Sequence, residues 1–177
     1  MILKKIIKKI LELFYTPNKL AMKKGVIFGK NCIFGKNINF GSEPYLITIG
    51  NSFYSSSNIQ FVTHDGSVNV LRNLSPELKE YDYIQPINIG NNVFIGYGVV
   101  ILPGTVIGDN IIIGASSVVK GTLESNHVYA GIPVKKISSI EKYKQKNEQI
   151  FIKTKNLSKD KKKDTLIKMK ENNAFPY

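Results

Sequence analysis

The chain carries only two histidines, and one of them stands in the stretch FVTHDG, directly before an aspartate. An imidazole accepts a proton near neutral pH, so His64 is a candidate general base. Asp65 is placed to orient that imidazole or to bind a substrate, although Asp-Gly is also a common turn sequence. His127, in ESNHVYAGIP, is expected to have a structural or surface role.

The net charge of +12 belongs to the two ends of the chain. Residues 1–24 hold seven lysines and one glutamate, and residues 138–177 hold eleven lysines and five acidic residues. Residues 25–137 carry seven basic and seven acidic side chains and are neutral overall. Lysine runs are usually solvated helix faces, and Arg72 is the only arginine, so we expect no nucleic acid as a partner.

Cysteine content and the N-terminal sequence together favour a cytoplasmic protein. Cys32 is the single cysteine, so no intrachain disulfide can form. The start, MILKKIIKKILELFY, has lysines throughout its apolar run. It therefore lacks the apolar core of a secretory signal and is too short and charged to span a bilayer.

Residues 1–24 are predicted to form a short amphipathic helix, because apolar residues recur at three- and four-residue spacing with lysines between them. The apolar positions are Ile2, Leu3, Ile6, Ile7, Ile10, Leu11 and Phe14. Two interpretations stay open. The helix packs on its own body or on a neighbouring subunit, or it makes peripheral contact with an anionic membrane surface at the inner face.

From Gly25 onward the sequence repeats every six residues. Large apolar residues fall in register, most of them followed by glycine: Phe28, Phe34, Phe40, and then Ile89, Ile95, Ile101, Ile107, Ile113 and Val119. The residues two places before the later set are also apolar or small: Ile87, Val93, Val99, Thr105, Ile111 and Ser117. Such a period predicts short strands broken by turns, with three units closing each coil of an all-β solenoid. The glycines suit either a positive φ or a close backbone approach.

The six-residue count stops after His64 and restarts at Pro86, which makes residues 65–85 an inserted loop. Its aromatic rings and carboxylates suit a sugar, so we expect it to wall an acceptor site; the alternative is a structural flap. Beyond Ile137 the period ends, and residues 138–177 are predicted to be a basic tail. We expect one helix around residues 139–153, then weaker helix or partial disorder.

The stretch from GNNVFIGYG to HVYAGIPVKKI resembles the C-terminal coils of the left-handed β-helix acyltransferases, including their closing AGIPVKK. The nearest resemblance is to galactoside, maltose and polysaccharide O-acetyltransferases, with xenobiotic acetyltransferases as relatives. It covers residues 25–137 and implies a left-handed parallel β-helix, a hand that periodicity alone does not give. It also implies a homotrimer with active sites between subunits and acetyl-CoA as co-substrate.

The same resemblance assigns roles to single residues. His64 matches the general base that takes the proton of an acceptor hydroxyl, with Asp65 beside it as a second catalytic candidate. Glu43, in FGSEPYLITIG, is another candidate for orienting the imidazole or contacting the acceptor. The content of the inserted loop, independently of the resemblance, adds Arg72, Asp82 and Tyr83 as expected contacts to a saccharide.

On the donor side, Phe94 stands where the family usually has tryptophan near the acyl group. Turn positions expected to line the pantetheine arm of coenzyme A are Tyr97, Gly98, Ala115 and Ser116. Lysines expected near its phosphates are Lys120, Lys135 and Lys136. We expect no metal, because the zinc-binding β-helix enzymes use three histidines.

The sequence therefore predicts an acetyl-CoA-dependent O-acetyltransferase that modifies a saccharide, in capsule or O-antigen biosynthesis. The transfer is direct, without a covalent acyl-enzyme. Two alternatives stay open: an acetyltransferase for an antibiotic or an amino-sugar nucleotide, and a non-catalytic scaffold that docks on membranes.

Overall fold

The six-residue repeats wind into a prism with three β-sheet faces, as seen in a computed structural model that describes residues 15–176. Strands of the first face are Ile27–Phe28, Ile47–Ile49, Ile87–Ile89, Val106–Ile107 and Thr122–Leu123. Strands of the second face are Tyr54–Ser55, Val93–Ile95, Ile111–Ile113, His127–Ala130 and Lys135–Ser139. Strands of the third face are Gln60–Phe61, Val100–Ile101 and Val118–Val119. Each strand pairs in parallel with the strand at the same position in the next coil. The exception is Lys135–Ser139, which pairs antiparallel with His127–Ala130.

The repeat positions identified in the sequence form the core. Ile89 pairs with Ile107, and Ile95 pairs with Ile113, so equivalent side chains stack from coil to coil. Both apolar sets of the regular coils, from Ile87 to Val119, are at most 4 % exposed. Phenylalanines fill the first coils, where the rings of Phe40 and Phe61 stack with centroids 5.5 Å apart. Each stacked side chain contributes roughly 1.5–3 kcal/mol of burial free energy.

Glycines and asparagines have different structural roles at the turns between faces. A Cβ atom on Gly90 would lie 2.8 Å from the carbonyl carbon of Gly108, so neighbouring coils leave no space for a side chain there. The left-handed residue of these turns comes two positions later, at Asn92 and Asn110, each with φ of 55°. Asparagine tolerates that conformation better than other side chains do.

A short helix, Pro17–Lys24, closes the N-terminal end of the prism. The Thr16 hydroxyl caps it by accepting from the Lys19 N–H, and Gly25 ends it with φ of 97°. The Asn18 side chain ties it to the first coil through the Cys32 carbonyl, 2.6 Å away. The first fourteen residues of the predicted amphipathic helix lie outside the described residues, so its membrane contact remains a prediction.

The insertion after His64 is ordered by its own hairpin. Strands His64–Asp65 and Tyr83–Ile84 pair antiparallel, so the loop leaves and returns at one point. Between them lie the helix Val68–Leu74 and a 3-10 turn, Pro76–Leu78. A further 3-10 turn, Pro44–Leu46, precedes the second coil.

The last regular strand, Lys135–Ser139, extends past the boundary expected at residue 137, because its pairing with His127–Ala130 continues the second face. Residues 141–177 form a separate compact unit. Its helices and turn are Ile140–Asn147, Glu148–Ile150 and Lys159–Glu171, so the first helix ends before the predicted residue 153. Within residues 15–176, none of the helices combines the length and apolar character that crossing a bilayer requires.

Candidate active site

His64 lies at the corner where the third face ends and the inserted loop begins. The Thr63 carbonyl accepts from the N–H of Gln85 at 2.9 Å, and His64 is paired with Ile84 in the hairpin. The backbone on both sides of His64 is therefore fixed by the coil and by the returning strand. This anchoring leaves the imidazole on a rigid rim, with its side chain 47 % exposed.

The carboxylate of Glu43 connects two neighbours of this corner. Its Oε2 accepts a hydrogen bond from the Thr63 hydroxyl at 2.6 Å and lies 3.1 Å from Nδ1 of His64. The hydrogen bond from Thr63 lowers the pKa of Glu43, and the hydrogen bond from His64 lowers it further by a smaller amount. An ionised carboxylate only accepts hydrogen bonds, so Nδ1 must carry the proton in the neutral ring. The other nitrogen, Nε2, is then the basic atom.

Asp65 is engaged elsewhere, although it was the first acid expected beside His64. Its Oδ1 accepts from the backbone N–H of Ser67 at 2.8 Å, in the turn that starts the loop helix. Hydrogen bonds from Ser67, with a smaller effect of Lys120, lower the pKa of Asp65. The structure thus brings Glu43 against the imidazole, and Asp65 contributes its carboxylate to the surrounding wall.

A cavity of about 300 Å³ opens beside the imidazole, between the coil and the inserted loop. It brings together the acceptor-side residues expected from the sequence: Glu43, His64, Asp65, Arg72, Asp82 and Tyr83. Its floor is therefore supplied by the coil and its outer wall by the loop. The volume suits one sugar ring more readily than an extended chain.

Arg72 holds the inserted loop together. Its Nη1 donates to the Asn69 side chain at 2.6 Å, and its Nε donates to the Tyr81 carbonyl at 3.1 Å. Its Nη2 also reaches that carbonyl and forms an ion pair with Asp82. Most of the guanidinium donors are used within the loop, so Arg72 joins the helix of the loop to the returning strand.

The residues expected to line the pantetheine arm lie at a different corner, between the second and third faces. They come from successive coils, and the backbone N–H of Ser116 donates to the Tyr97 carbonyl at 2.7 Å. Gly98 takes the left-handed conformation there, and Ala115 is exposed beside Ser116. Within one chain the whole third face separates this corner from His64.

The remaining donor candidates are dispersed. Phe94 lies on the outer surface of the second face, with its ring centroid 5.4 Å from that of Tyr54, and outside the His64 cavity. Lys136 forms an ion pair with Glu124, which raises the pKa of Lys136, whereas Lys135 is exposed on the same last strand. Lys120 follows the third face at the His64 corner.

His127 is held by the backbone: its Nδ1 lies 2.7 Å from the Ser125 carbonyl and its ring meets Tyr129 edge-on.

Sequence reasoning missed Thr63. The available signal was its position, two residues after the inward Phe61, where a buried polar side chain needs a partner. Across residues 15–176 no group of three histidine, cysteine or acidic side chains could hold a metal ion.

The chain is similar to known transferases in sequence and in structure. The family described as bacterial transferase hexapeptide (six repeats) matches residues 86–121. The chain is 43 % identical over 173 residues to Protein CapG of Staphylococcus aureus, a match that covers 96 % of this chain and 98 % of that protein. It is 31 % identical over 121 residues to the putative lipopolysaccharide biosynthesis O-acetyl transferase WbbJ of Escherichia coli strain K12, covering 65 % of this chain and 61 % of that protein.

The fold is similar to that of a galactoside acetyltransferase in complex with coenzyme A. The TM-score is 0.57 at 25 % sequence identity, and the match covers 88 % of each chain. Together with the six-residue repeats, this likeness identifies the prism as a left-handed parallel β-helix.

Proposed function

Because the chain belongs to the bacterial hexapeptide-repeat transferases and is an acetyltransferase of that family, we propose that it transfers an acetyl group from acetyl-CoA to a saccharide hydroxyl. The observation that carries this proposal is the contact between Glu43 and Nδ1 of His64 at the edge of a sugar-sized cavity. That contact supplies an oriented base next to space for an acceptor.

In the proposed reaction, Nε2 of His64 removes the proton of an acceptor hydroxyl as its oxygen attacks the thioester carbonyl. The new C–O bond gives a tetrahedral intermediate, whose oxyanion we assign to backbone N–H donors. Collapse breaks the C–S bond, and the imidazolium returns its proton to the leaving thiolate. Glu43 holds the ring and stabilises the imidazolium, as the acid of a catalytic triad does.

The acceptor is proposed to be a sugar of a cell-surface polysaccharide. Tyr83 and the carboxylates of the cavity offer an apolar face and hydrogen-bond acceptors, which suit a polyol. The named activity of the Escherichia coli relative, O-acetyl transfer in lipopolysaccharide biosynthesis, is of the same kind.

The donor is proposed to bind at the corner formed by Tyr97, Gly98, Ala115 and Ser116, with the coenzyme phosphates towards Lys135. The third face separates this corner from His64 within one chain. We therefore propose a homotrimer in which the donor corner of one subunit faces the His64 corner of its neighbour. The coenzyme A bound to the similar galactoside acetyltransferase supports an acyl-CoA donor.

The test is acetyl-CoA turnover, followed by thiol release, on a panel of glycosides, nucleotide sugars, surface glycans and aminoglycosides. His64→Ala should lower kcat by about 10²–10⁴-fold while the Kd for acetyl-CoA changes little. Glu43→Gln should lower kcat more than Asp65→Asn, because only Glu43 contacts the ring. A His64→Ala protein with the wild-type rate would refute the proposed base.

A further inference from the structure

We propose that the acceptor presents hydroxyl groups, and no anionic group, to the cavity beside His64. The enzyme then selects neutral saccharides over uronic acids and phosphorylated sugars at this position. The inference rests on the proposed function and adds to it the chemical class of the acceptor.

Fixed charge in the cavity is predominantly negative. Three carboxylates line it, those of Glu43, Asp65 and Asp82, against the single cation of Arg72. Hydrogen bonds from Thr63 and Ser67 lower the pKa of Glu43 and of Asp65, which keeps both ionised at neutral pH. An anionic sugar would therefore enter a site that already carries excess negative charge.

The charge of Arg72 is paired with Asp82, and most of its N–H donors are committed to the protein, so Arg72 offers an anionic ligand little binding. These donors are directed to the Asn69 side chain, the Tyr81 carbonyl and the Asp82 carboxylate. Lys120, a further cation near the corner, lowers the pKa of Asp65 through its charge. Even with Lys120 included, the three carboxylates outnumber the two cations.

The charged side chains and the imidazole of the cavity leave acceptor atoms for a ligand. Asp82 uses Oδ1 for Arg72, and its side chain is 66 % exposed. Nε2 of His64 accepts as well, since Nδ1 is directed to Glu43. Hydroxyl groups donate to such atoms, whereas a carboxylate or phosphate has no proton to donate at neutral pH. Charge and hydrogen bonding thus favour the same class of acceptor.

The experiment compares two competitors of equal shape and different charge. A hexuronate glycoside and its uronamide are tested as inhibitors of acetylation of a neutral glycoside found in the panel. Both lack the C6 hydroxyl and differ from each other only in charge at that carbon. Inhibition is read from acetylation of the neutral glycoside, so the comparison holds even if neither competitor is itself acetylated. The uronamide should inhibit at least about tenfold more strongly than the uronate at low ionic strength.

Two variants connect the effect to this cavity. Asp82→Asn removes one negative charge from the lining and should narrow the uronamide-to-uronate ratio about threefold or more. Glu80→Gln removes the same charge from the same loop at an exposed residue outside the lining, and should leave the ratio unchanged.

The possible outcomes distinguish failure of the proposed acceptor class from failure of the proposed transferase function. Equal inhibition by both compounds, or acetylation of uronides in preference to neutral glycosides, would overturn the inference and leave the transferase assignment standing. Absence of acetyl-CoA turnover on every saccharide of the panel would refute the proposed function, and the inference with it.

Discussion

At the residue scale, the site depends on one oxygen atom, Oε2 of Glu43, which Thr63 and His64 share. The Glu43 side chain is only 17 % exposed, so its charge needs partners within the protein. The Thr63 hydroxyl is fully buried and supplies one of them. Thr63 therefore acts through Glu43: it fixes the carboxylate that fixes the imidazole, and we regard it as a positioning residue.

Replacing Thr63 by valine, which has nearly the same shape, should lower kcat about tenfold and leave the KM for acetyl-CoA unchanged. Thr63→Ser keeps the hydroxyl and should retain most of the activity. Loss of the hydrogen bond removes the largest cause of the lowered Glu43 pKa, so that pKa should rise towards its ordinary 4.5. Steady-state kinetics of both variants check the first two expectations, and carboxyl NMR titration checks the third.

The stability of the valine variant gives an independent measurement with a fixed sign. A carboxyl whose folded pKa is lowered contributes stability above its unfolded pKa, and this is lost as pH falls through the folded value. The deficit in unfolding free energy of Thr63→Val should therefore be larger at about pH 7 than at about pH 3. A deficit independent of pH would mean that Thr63 acts by packing alone.

Part of this residue-level arrangement could be read from the sequence. His64 interrupts a regular repeat, and Glu43 lies in the turn before the second coil, so both could be found by position. The contact between them crosses from one coil to the next, and so does the bond from Thr63. The register in which the coils stack decides which acid contacts the imidazole. Neither the spacing of the residues nor the adjacency of Asp65 to His64 gives that register.

At the element scale, the repeat glycines show where sequence reasoning left a choice. Their position allowed either a left-handed turn or a close approach between coils. At the turns that follow Gly90 and Gly108 the left-handed residues are Asn92 and Asn110, and the adjacent coil leaves no space for a side chain on Gly90. The period predicted the coil; only the three-dimensional stacking distinguishes the two uses of glycine.

Substitution of Gly90 by alanine should therefore destabilise the fold, by about 1–3 kcal/mol in the free energy of unfolding. Its new methyl group would meet backbone atoms of Gly108, which cannot move without shifting a coil. Gly66→Ala is the matched control, since a Cβ atom on Gly66 would lie 3.9 Å from the flexible Asn69 side chain and meet nothing closer. Urea unfolding at one fixed subunit concentration compares them, and equal stabilities would contradict the close-approach argument.

The inserted loop marks the limit of prediction at this scale. Its boundaries follow from the interrupted count, but its hairpin and the Arg72 interactions do not, because they join residues without periodic spacing. Arg72 was expected to contact the substrate; it lines the cavity, and its hydrogen bonds are with the loop itself.

At the scale of the whole molecule, the two proposed parts of the active site lie at separate corners of one chain. The His64 cavity lies at one edge of the third face, and the proposed donor corner, with Tyr97 and Ser116, lies at the other. Direct transfer requires hydroxyl and thioester to touch, and a packed core fills the space between the corners. On the proposed function, a second copy of the chain would therefore supply one corner.

Mixed oligomers test this arrangement. His64→Ala removes the base, and Ala115→Trp blocks the donor corner at an exposed position, so each homo-oligomer should be inactive. In hetero-oligomers from co-expression, a site with the intact donor corner of one variant and the intact His64 of the other should work. Random assembly of a trimer then restores about one quarter of the wild-type rate. Variants purified separately and mixed without subunit exchange are the control. Inactive hetero-oligomers would mean that both corners of each site come from the same chain.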